Sequence, residues 1–266
     1  MFEFHKDKGR YFEMQKITSH DYVIPFVSNS IDLSLPQKIL EIGCGEAGVL
    51  KAFTEKGHHC TGIELHQSRI DTAKTFFSEE LASGQIKFIV KDIMKIDVDR
   101  EIGHKFDLII LKDVIEHIPN QEQFIKRLRD FLNPGGIVFF GFPPWYMPFG
   151  GHQQICKNRY LSKLPYYHLL PRKIYKAILN LANEATPTVQ ELLEIKETGI
   201  SIERFSKITK RQGFQIEQRT LFLINPIYKL KFNLKVRRQL PIIKNIPFFR
   251  NFLTTCAYFT IKKSTE

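Results

Sequence analysis

The stretch ILEIGCGEAGVL, residues 39–50, decides the fold. The apolar run QKILEI (37–42) has the length and composition of a buried strand. It ends in a Gly-x-Gly turn, and VLKAFTEKG follows with Leu50 and Phe53 on one helical face and Gly57 as its stop. Glycines at 43 and 45 permit a tight turn and close approach of a ligand to the backbone. The helix behind them offers unpaired N–H groups to a carboxylate. The spacing lacks the third glycine of a dinucleotide fingerprint, since Ala47 and Gly48 follow Glu46, and no GK[ST] follows to make a P-loop.

Outward from this turn the same unit repeats. HCTGIE (59–64) reads as a strand, and SRIDTAKTFFSEELASG as one helix capped by Ser68, with Ile70, Ala73, Phe76, Phe77 and Leu81 as its stripe. IKFIV (86–90) and FDLIIL (106–111) are strands, and NQEQFIKRLRDFL is a helix with Phe124, Ile125, Leu128, Phe131 and Leu132 on its apolar face. NPGG turns the chain into the strand IVFFGF (137–142). This alternation predicts a parallel sheet covered on both faces. After Phe142 come the loop PPWYMPFGG and two helices, 171–183 and 188–197. Regular patterning resumes with a helix from Ser201 to Gln212, Gly213 as its stop, a strand at 214–224 and a last strand at 254–263. The expected organisation is one domain over 1–266, with a core at 32–142 and 199–224, a cap insertion at 143–198 and a basic insertion at 225–252.

A chain of 266 residues, 43% hydrophobic and 25% charged, excludes a disordered polymer and suits one globular domain with attachments. No apolar run reaches the roughly 18 residues of a membrane span, and MFEFHKDKGRYFEMQK has no h-region, so neither a span nor a signal peptide is expected. Cys44, Cys60, Cys156 and Cys256 form no CxxC pair and read as reduced thiols of a cytoplasmic protein. The net charge of +11 is uneven. Segment 142–190 has six Lys/Arg and one acid, and segment 218–265 has ten and none, whereas the remainder carries 23 basic and 27 acidic residues. Two basic attachments on a mildly acidic core attract phosphate-rich partners or serve as solvated faces.

Glu64 closes the second strand, where an acid can accept bonds from both hydroxyls of a ribose. Asp92 closes the third, placed to meet an adenine amino group. EIGCG, Glu64, Asp92, FDLIIL…DVIEHI and LNPGG together resemble the class I S-adenosylmethionine-dependent methyltransferases, closely over 37–142 and loosely over 199–223. The resemblance implies a Rossmann-like α/β fold: a seven-stranded sheet with helices on both faces, the last strand antiparallel, plus cap insertions. It implies that Glu41, Gly43 and Gly45 shape the pocket for the methionine half of S-adenosylmethionine. It also implies that Glu64 holds the ribose, Leu65 lines the adenine, Asp92 and Ile93 bind its edge, and Leu111 and Lys112 pass beside the methionine.

Asp113, Glu116 and His117 are expected on one face of a helical turn, able to hold a divalent cation or to act as base and orienting group. The element is similar to the acid-x-x-Glu-His of ubiquinone-biosynthesis O-methyltransferases and small-RNA 3′-terminal methyltransferases. That likeness implies a Mg²⁺ site of Asp113, Glu116, His117 and His152; the alternative is that His117 is only hydrogen-bonded beside the cofactor. His152 can also deprotonate a hydroxyl, and Trp145, Tyr146 and Phe149 can wall an apolar pocket. The catalytic candidates are therefore His117, His152 and Asp113. Arg10, Tyr11, Phe12 and Glu13 are expected to fold over the cofactor as a lid.

Three functions compete. The first is O-methylation of a small or lipid-linked acceptor, with peripheral contact to anionic membrane. The second is RNA methylation, with the insertions on phosphates. The third is a catalytically silent cofactor-binding module. Over Tyr228–Val236 the alternation of apolar with mostly basic residues predicts an extended segment with one greasy and one cationic face.

Overall fold

The computed structural model describes residues 7–264. Its strands are β1 (Lys38–Ile42), β2 (His59–Glu64), β3 (Ile86–Val90), β4 (Phe106–Lys112), β5 (Leu132–Phe142), β6 (Phe214–Ile224), β7 (Arg237–Arg238) and β8 (Cys256–Lys263). They form one sheet in the order β3-β2-β1-β4-β5-β8-β6-β7. The first five pair in parallel, and β8 runs antiparallel between β5 and β6. The expected antiparallel last strand is thus present, but the sheet has eight strands rather than seven. The additional one is the two-residue β7, laid antiparallel along the outer edge of β6 by the basic insertion.

The central strands are continuous apolar runs because both of their faces are covered. Alternate residues enter two cores. Leu40, Ile109, Leu111, Val138 and Phe140 pack on one side of the sheet, and Ile39, Leu108, Ile110, Ile137 and Phe139 on the other. The cap carries a third, small cluster of Cys156, Tyr167, Tyr175, Leu179, Val189 and Leu192, built on its helices Arg172–Leu181 and Thr186–Thr198. All four cysteines are buried and unpaired.

The N-terminal helix Lys8–Thr18 starts at Asp7, whose carboxylate accepts the Arg10 N–H, and lies against the helix Gly48–Thr54 behind the glycine turn. Close approach requires a bare backbone at Gly48, because a Cβ there would lie 2.6 Å from the Phe12 carbonyl oxygen.

Three local expectations are corrected. The single helix over 68–84 is two, Gln67–Thr75 and Ser78–Ala82, and Ser68 caps neither. The chain leaves helical geometry at Phe77 (φ −128°, ψ 33°), which is fully buried against Phe12 and Phe88, while Phe76 stacks on Phe12 at 4.2 Å. Consecutive aromatics cannot both face one core from a regular helix, so the helix breaks between them. NPGG is a bulge inside β5, since pairing with β4 jumps from Phe106–Leu132 to Leu108–Ile137. Finally, Tyr228–Phe232 is a short helix ended by Asn233 in the left-handed region (φ 54°), not an extended segment.

If burial of Phe77 causes the break, Phe77→Ala should cost about 3–5 kcal/mol of unfolding free energy, as for a buried aromatic. Phe76→Ala, at a half-buried position, should cost distinctly less. Urea denaturation of both variants measures the difference, and equal losses would show that Phe77 is not the determinant.

Candidate functional site

The carboxyl ends of β1 to β4 converge, and Glu64 organises them. Its Oε2 accepts the Gly45 N–H at 2.9 Å, and its Oε1 accepts the N–H groups of Leu65 at 2.9 Å and His66 at 3.1 Å. Gly43 and Gly45 both take left-handed backbone (φ 68° and 57°), which suits glycine. Ala47 shares that region at φ 63°, an unusual backbone for a residue with a Cβ that the sequence did not mark. Arg69, also unmarked, lies over the turn. It bonds Glu46 at 3.0 Å, stands 3.8 Å from Glu64, and its guanidinium would meet a Cβ on Gly45 at 2.6 Å.

Glu41 is buried with one carboxylate oxygen unpartnered. Burial pushes its carboxyl well above the usual range, and Lys112 opposes that shift. Leu65 is 65% exposed. Asp92 accepts the Met94 N–H at 2.9 Å and starts the turn Ile93–Lys95, with Ile93 buried beneath it. Leu111 packs its side chain into the core.

Beyond β4, Lys112 is buried with its Nζ 2.6 Å from an Asp113 oxygen. Burial alone would raise the Asp113 carboxyl; the adjacent ammonium outweighs it and holds the group below its ordinary value. Asp113 adopts φ 57°, and Ile115–His117 is a 3₁₀ turn, so these residues do not share a regular helical face. The structure instead joins Glu116 and His117 to His152. One ligand atom from each lies within 4.8 Å of the others, and the two imidazoles stand 4.9 Å apart at 73°. Asp113 is outside that group. Glu116 is buried with neither carboxylate oxygen hydrogen-bonded, and burial followed by the Asp113 charge raises its pKa well above the usual range. Burial pushes His152 down to about 4 with help from His117, so its imidazole is neutral at pH 7; His117, exposed on one side, is lowered in the same direction.

A cavity of about 290 Å³ opens beside this cluster. Tyr11, Asp113, Glu116, Phe149 and His152 line it, and Tyr228, Lys231 and Phe232 of the basic insertion close the opposite wall. Burial lowers Lys231 to about 8, against the pull of Asp113. Of the expected lid only Tyr11 reaches the cavity, since Phe12 packs into the core and Glu13 pairs with Lys16 on the surface. Of the three expected wall aromatics only Phe149 lines it. The Trp145 ring packs edge-on against His168 at 4.7 Å, and Tyr146 rests against Phe252.

A glycine turn after β1, strand-end acids after β2 and β3, and a cavity beyond β4 are the arrangement of a class I S-adenosylmethionine-dependent methyltransferase. Residues 21–163, more than half of the chain, match the model of the methyltransferase domain family, and the chain belongs to that family. It is 27% identical over 132 residues to a sterol 24-C-methyltransferase of Gibberella zeae, a match over 49% of this chain and 33% of that protein. It is 29% identical over 102 residues to a ubiquinone biosynthesis O-methyltransferase of Coxiella burnetii, over 38% of this chain and 42% of that protein. The matched stretch is thus less than half the length of either relative. A solved S-adenosylmethionine-dependent methyltransferase from Clostridium acetobutylicum shares the fold at a TM-score of 0.57 and 12% identity, over 94% of this chain and 92% of that one.

One cap residue has a pH signature. His168 is fully buried; its Nε2–H donates to the Trp145 carbonyl at 2.9 Å, and its Nδ1 accepts from Gln153 at 3.2 Å. Burial pushes its pKa down to about 4 from an ordinary value of 6.5. Between those values the unfolded chain binds the extra proton and the folded chain does not. Stability should therefore fall as pH drops through that window, by on the order of 3 kcal/mol from this group. Urea titrations at pH 7 and pH 4.5 should show a smaller loss for His168→Gln than for the natural chain. An unchanged pH dependence would remove His168 as a source of acid sensitivity.

Proposed function

We propose that the chain transfers the methyl group of S-adenosylmethionine to a hydroxyl of a small or lipid-linked acceptor held in the cavity beside Glu116, His117 and His152. The carrying observation is this cavity, lined by Asp113 and Glu116 after β4 and by His152 after β5, with the His117 ring 4.9 Å from that of His152. Glu41, Gly43, Gly45 and Glu64 would bind the methionine and ribose of the cofactor, with Leu65, Asp92 and Ile93 around its adenine. The backbone at Leu111 and Lys112 would pass beside the methionine. The cofactor's sulfonium supplies the electrophile, so the protein has to align the acceptor oxygen with the S–CH₃ bond and remove its proton. His152, on the cavity wall, accepts that proton, and His117 orients it. Phe149, Tyr228 and Phe232 form the apolar wall that holds the acceptor and keeps water out.

The donor set suits Mg²⁺ poorly. That ion takes oxygen ligands, whereas Glu116, His117 and His152 offer one carboxylate and two imidazoles, a set suited to Zn²⁺ or another borderline ion. Asp113, the second oxygen donor of the expected site, is held by Lys112. A neutral imidazole can take the acceptor's proton without help from an ion, so activity should survive treatment with a chelator. Loss on chelation with recovery on Zn²⁺ or Mn²⁺ would put an ion at the three residues.

Two substitutions separate cofactor binding from chemistry. Glu64→Ala removes charge-assisted bonds of about 1.5–3 kcal/mol each, so calorimetry should show S-adenosylmethionine affinity falling at least tenfold. Unchanged affinity would sink the ribose assignment. His152→Gln should leave that affinity unchanged and lower kcat about 10²–10⁴-fold. Mass-spectrometric screening of hydroxylated aromatic acceptors, with and without an isoprenoid tail, supplies the readout; activity on structured RNA alone would replace this reading with the nucleic-acid one.

A further inference from the structure

Between Gln239 and Asn251 the basic insertion displays apolar side chains on a polar frame. Gln239 is buried; its backbone N–H donates to the Leu221 carbonyl at 2.8 Å and its side-chain amide to the Leu253 carbonyl at 2.6 Å. Asn251 is fully buried, donating to Glu203 at 2.6 Å and accepting the Ile202 N–H at 2.9 Å. Glu203 also takes the Phe248 N–H at 3.0 Å and the Arg250 Nε–H at 2.9 Å. Between these pins Leu240 is 59% exposed, Ile242 77%, Phe248 66% and Phe249 47%. Phe248 is moreover held in the left-handed region at φ 62°, a costly backbone for a bulky residue. Buried polar bonds thus fix a segment whose large apolar groups face solvent, the reverse of an ordinary surface loop.

Beside these prongs lies a cleft lined by Arg219, Arg238 and Lys244 with no carboxylate among its described lining, Glu203 acting on Arg219 from behind it. Residues 218–265 contain no Asp or Glu at all. We propose that this face docks on an anionic lipid bilayer, with Ile242, Phe248 and Phe249 entering the acyl boundary and Arg219, Arg238 and Lys244 meeting headgroup phosphates. Charge alone fits any polyphosphate, but exposed isoleucine and leucine gain nothing against RNA, and a bilayer satisfies both halves of the surface. The attachment is interfacial, since no helix among the described residues is long and apolar enough to cross a membrane.

Co-sedimentation of the full chain with vesicles of phosphatidylcholine, alone or mixed with phosphatidylglycerol, tests this. Binding should favour the anionic vesicles and weaken with salt. Arg238→Gln with Lys244→Gln should weaken it about twenty-five-fold, at roughly fivefold per cation. Ile242→Ser with Phe248→Asn should weaken binding to anionic vesicles while leaving the preference for them intact. Circular dichroism of both double variants establishes that they fold. Equal partition onto both vesicles, or none onto either, overturns the proposal. So does full binding by the apolar double variant, which would leave phosphate attraction alone. Salt-sensitive binding of a structured RNA without vesicle binding would assign the face to nucleic acid instead.

Discussion

The turn after β1 keeps its shape because Glu64 takes three backbone N–H groups at once, those of Gly45, Leu65 and His66. Two of these leave β2 and one belongs to the loop after β1, so one carboxylate ties two strand ends together. Tied in this way, Gly43 and Gly45 hold left-handed backbone, and the helix Gly48–Thr54 starts directly behind them. The N-terminal helix can then close on that side, because Gly48 presents nothing to the Phe12 carbonyl. Any ligand of Glu64 joins an existing set of bonds and must fit around them. A Glu64 variant therefore perturbs the turn as well as the contact.

A second constraint sits one strand away. Lys112 is buried, and a buried ammonium needs a partner; Asp113 supplies it at 2.6 Å. That pairing assigns the carboxylates different states. Asp113 stays ionised beside its cation, whereas Glu116, buried without a hydrogen-bond partner and near the Asp113 charge, is driven toward the neutral acid. Burial likewise holds the His152 imidazole neutral, and it lowers His117, the more exposed of the two, in the same direction. The chemistry available beside the cavity follows from how burial divides protons among these side chains.

Much of this is legible in the sequence because it lies where the two structural periods are unambiguous. β1 to β4 read as short apolar runs closed by turns, the helix after Asn120 as a helical stripe, and strand ends mark Glu64 and Asp92. His117 and His152, 35 positions apart in the chain, stand with their rings 4.9 Å apart. What the sequence does not show is set by tertiary packing. The helix break at Phe77 depends on where Phe12 and Phe88 stand, and Trp145 leaves the cavity because His168 and the cap enclose it. Arg69 carries no local signal; it matters because the Gln67–Thr75 helix aims it over Gly45.

The basic insertion shows how a short run can satisfy both periods. YKLKFNLKV alternates strictly, as an edge strand would, yet Tyr228, Lys231 and Phe232 are also spaced three and four apart, the separation of one helical face. The helical solution prevails where the cavity has room for those three side chains, and Asn233 then reverses the chain into the left-handed region. Downstream the chain returns to β6 as the short pair Arg237–Arg238, which covers part of an open sheet edge with two cations. A single acid-free segment thereby completes the cavity at one end and carries an apolar, cationic surface at the other. Because it is fastened to β6 at Arg237–Arg238, between the two, and to Glu203 at its far end, the separation of cavity and surface is set by β6 and the helix Ile202–Arg211.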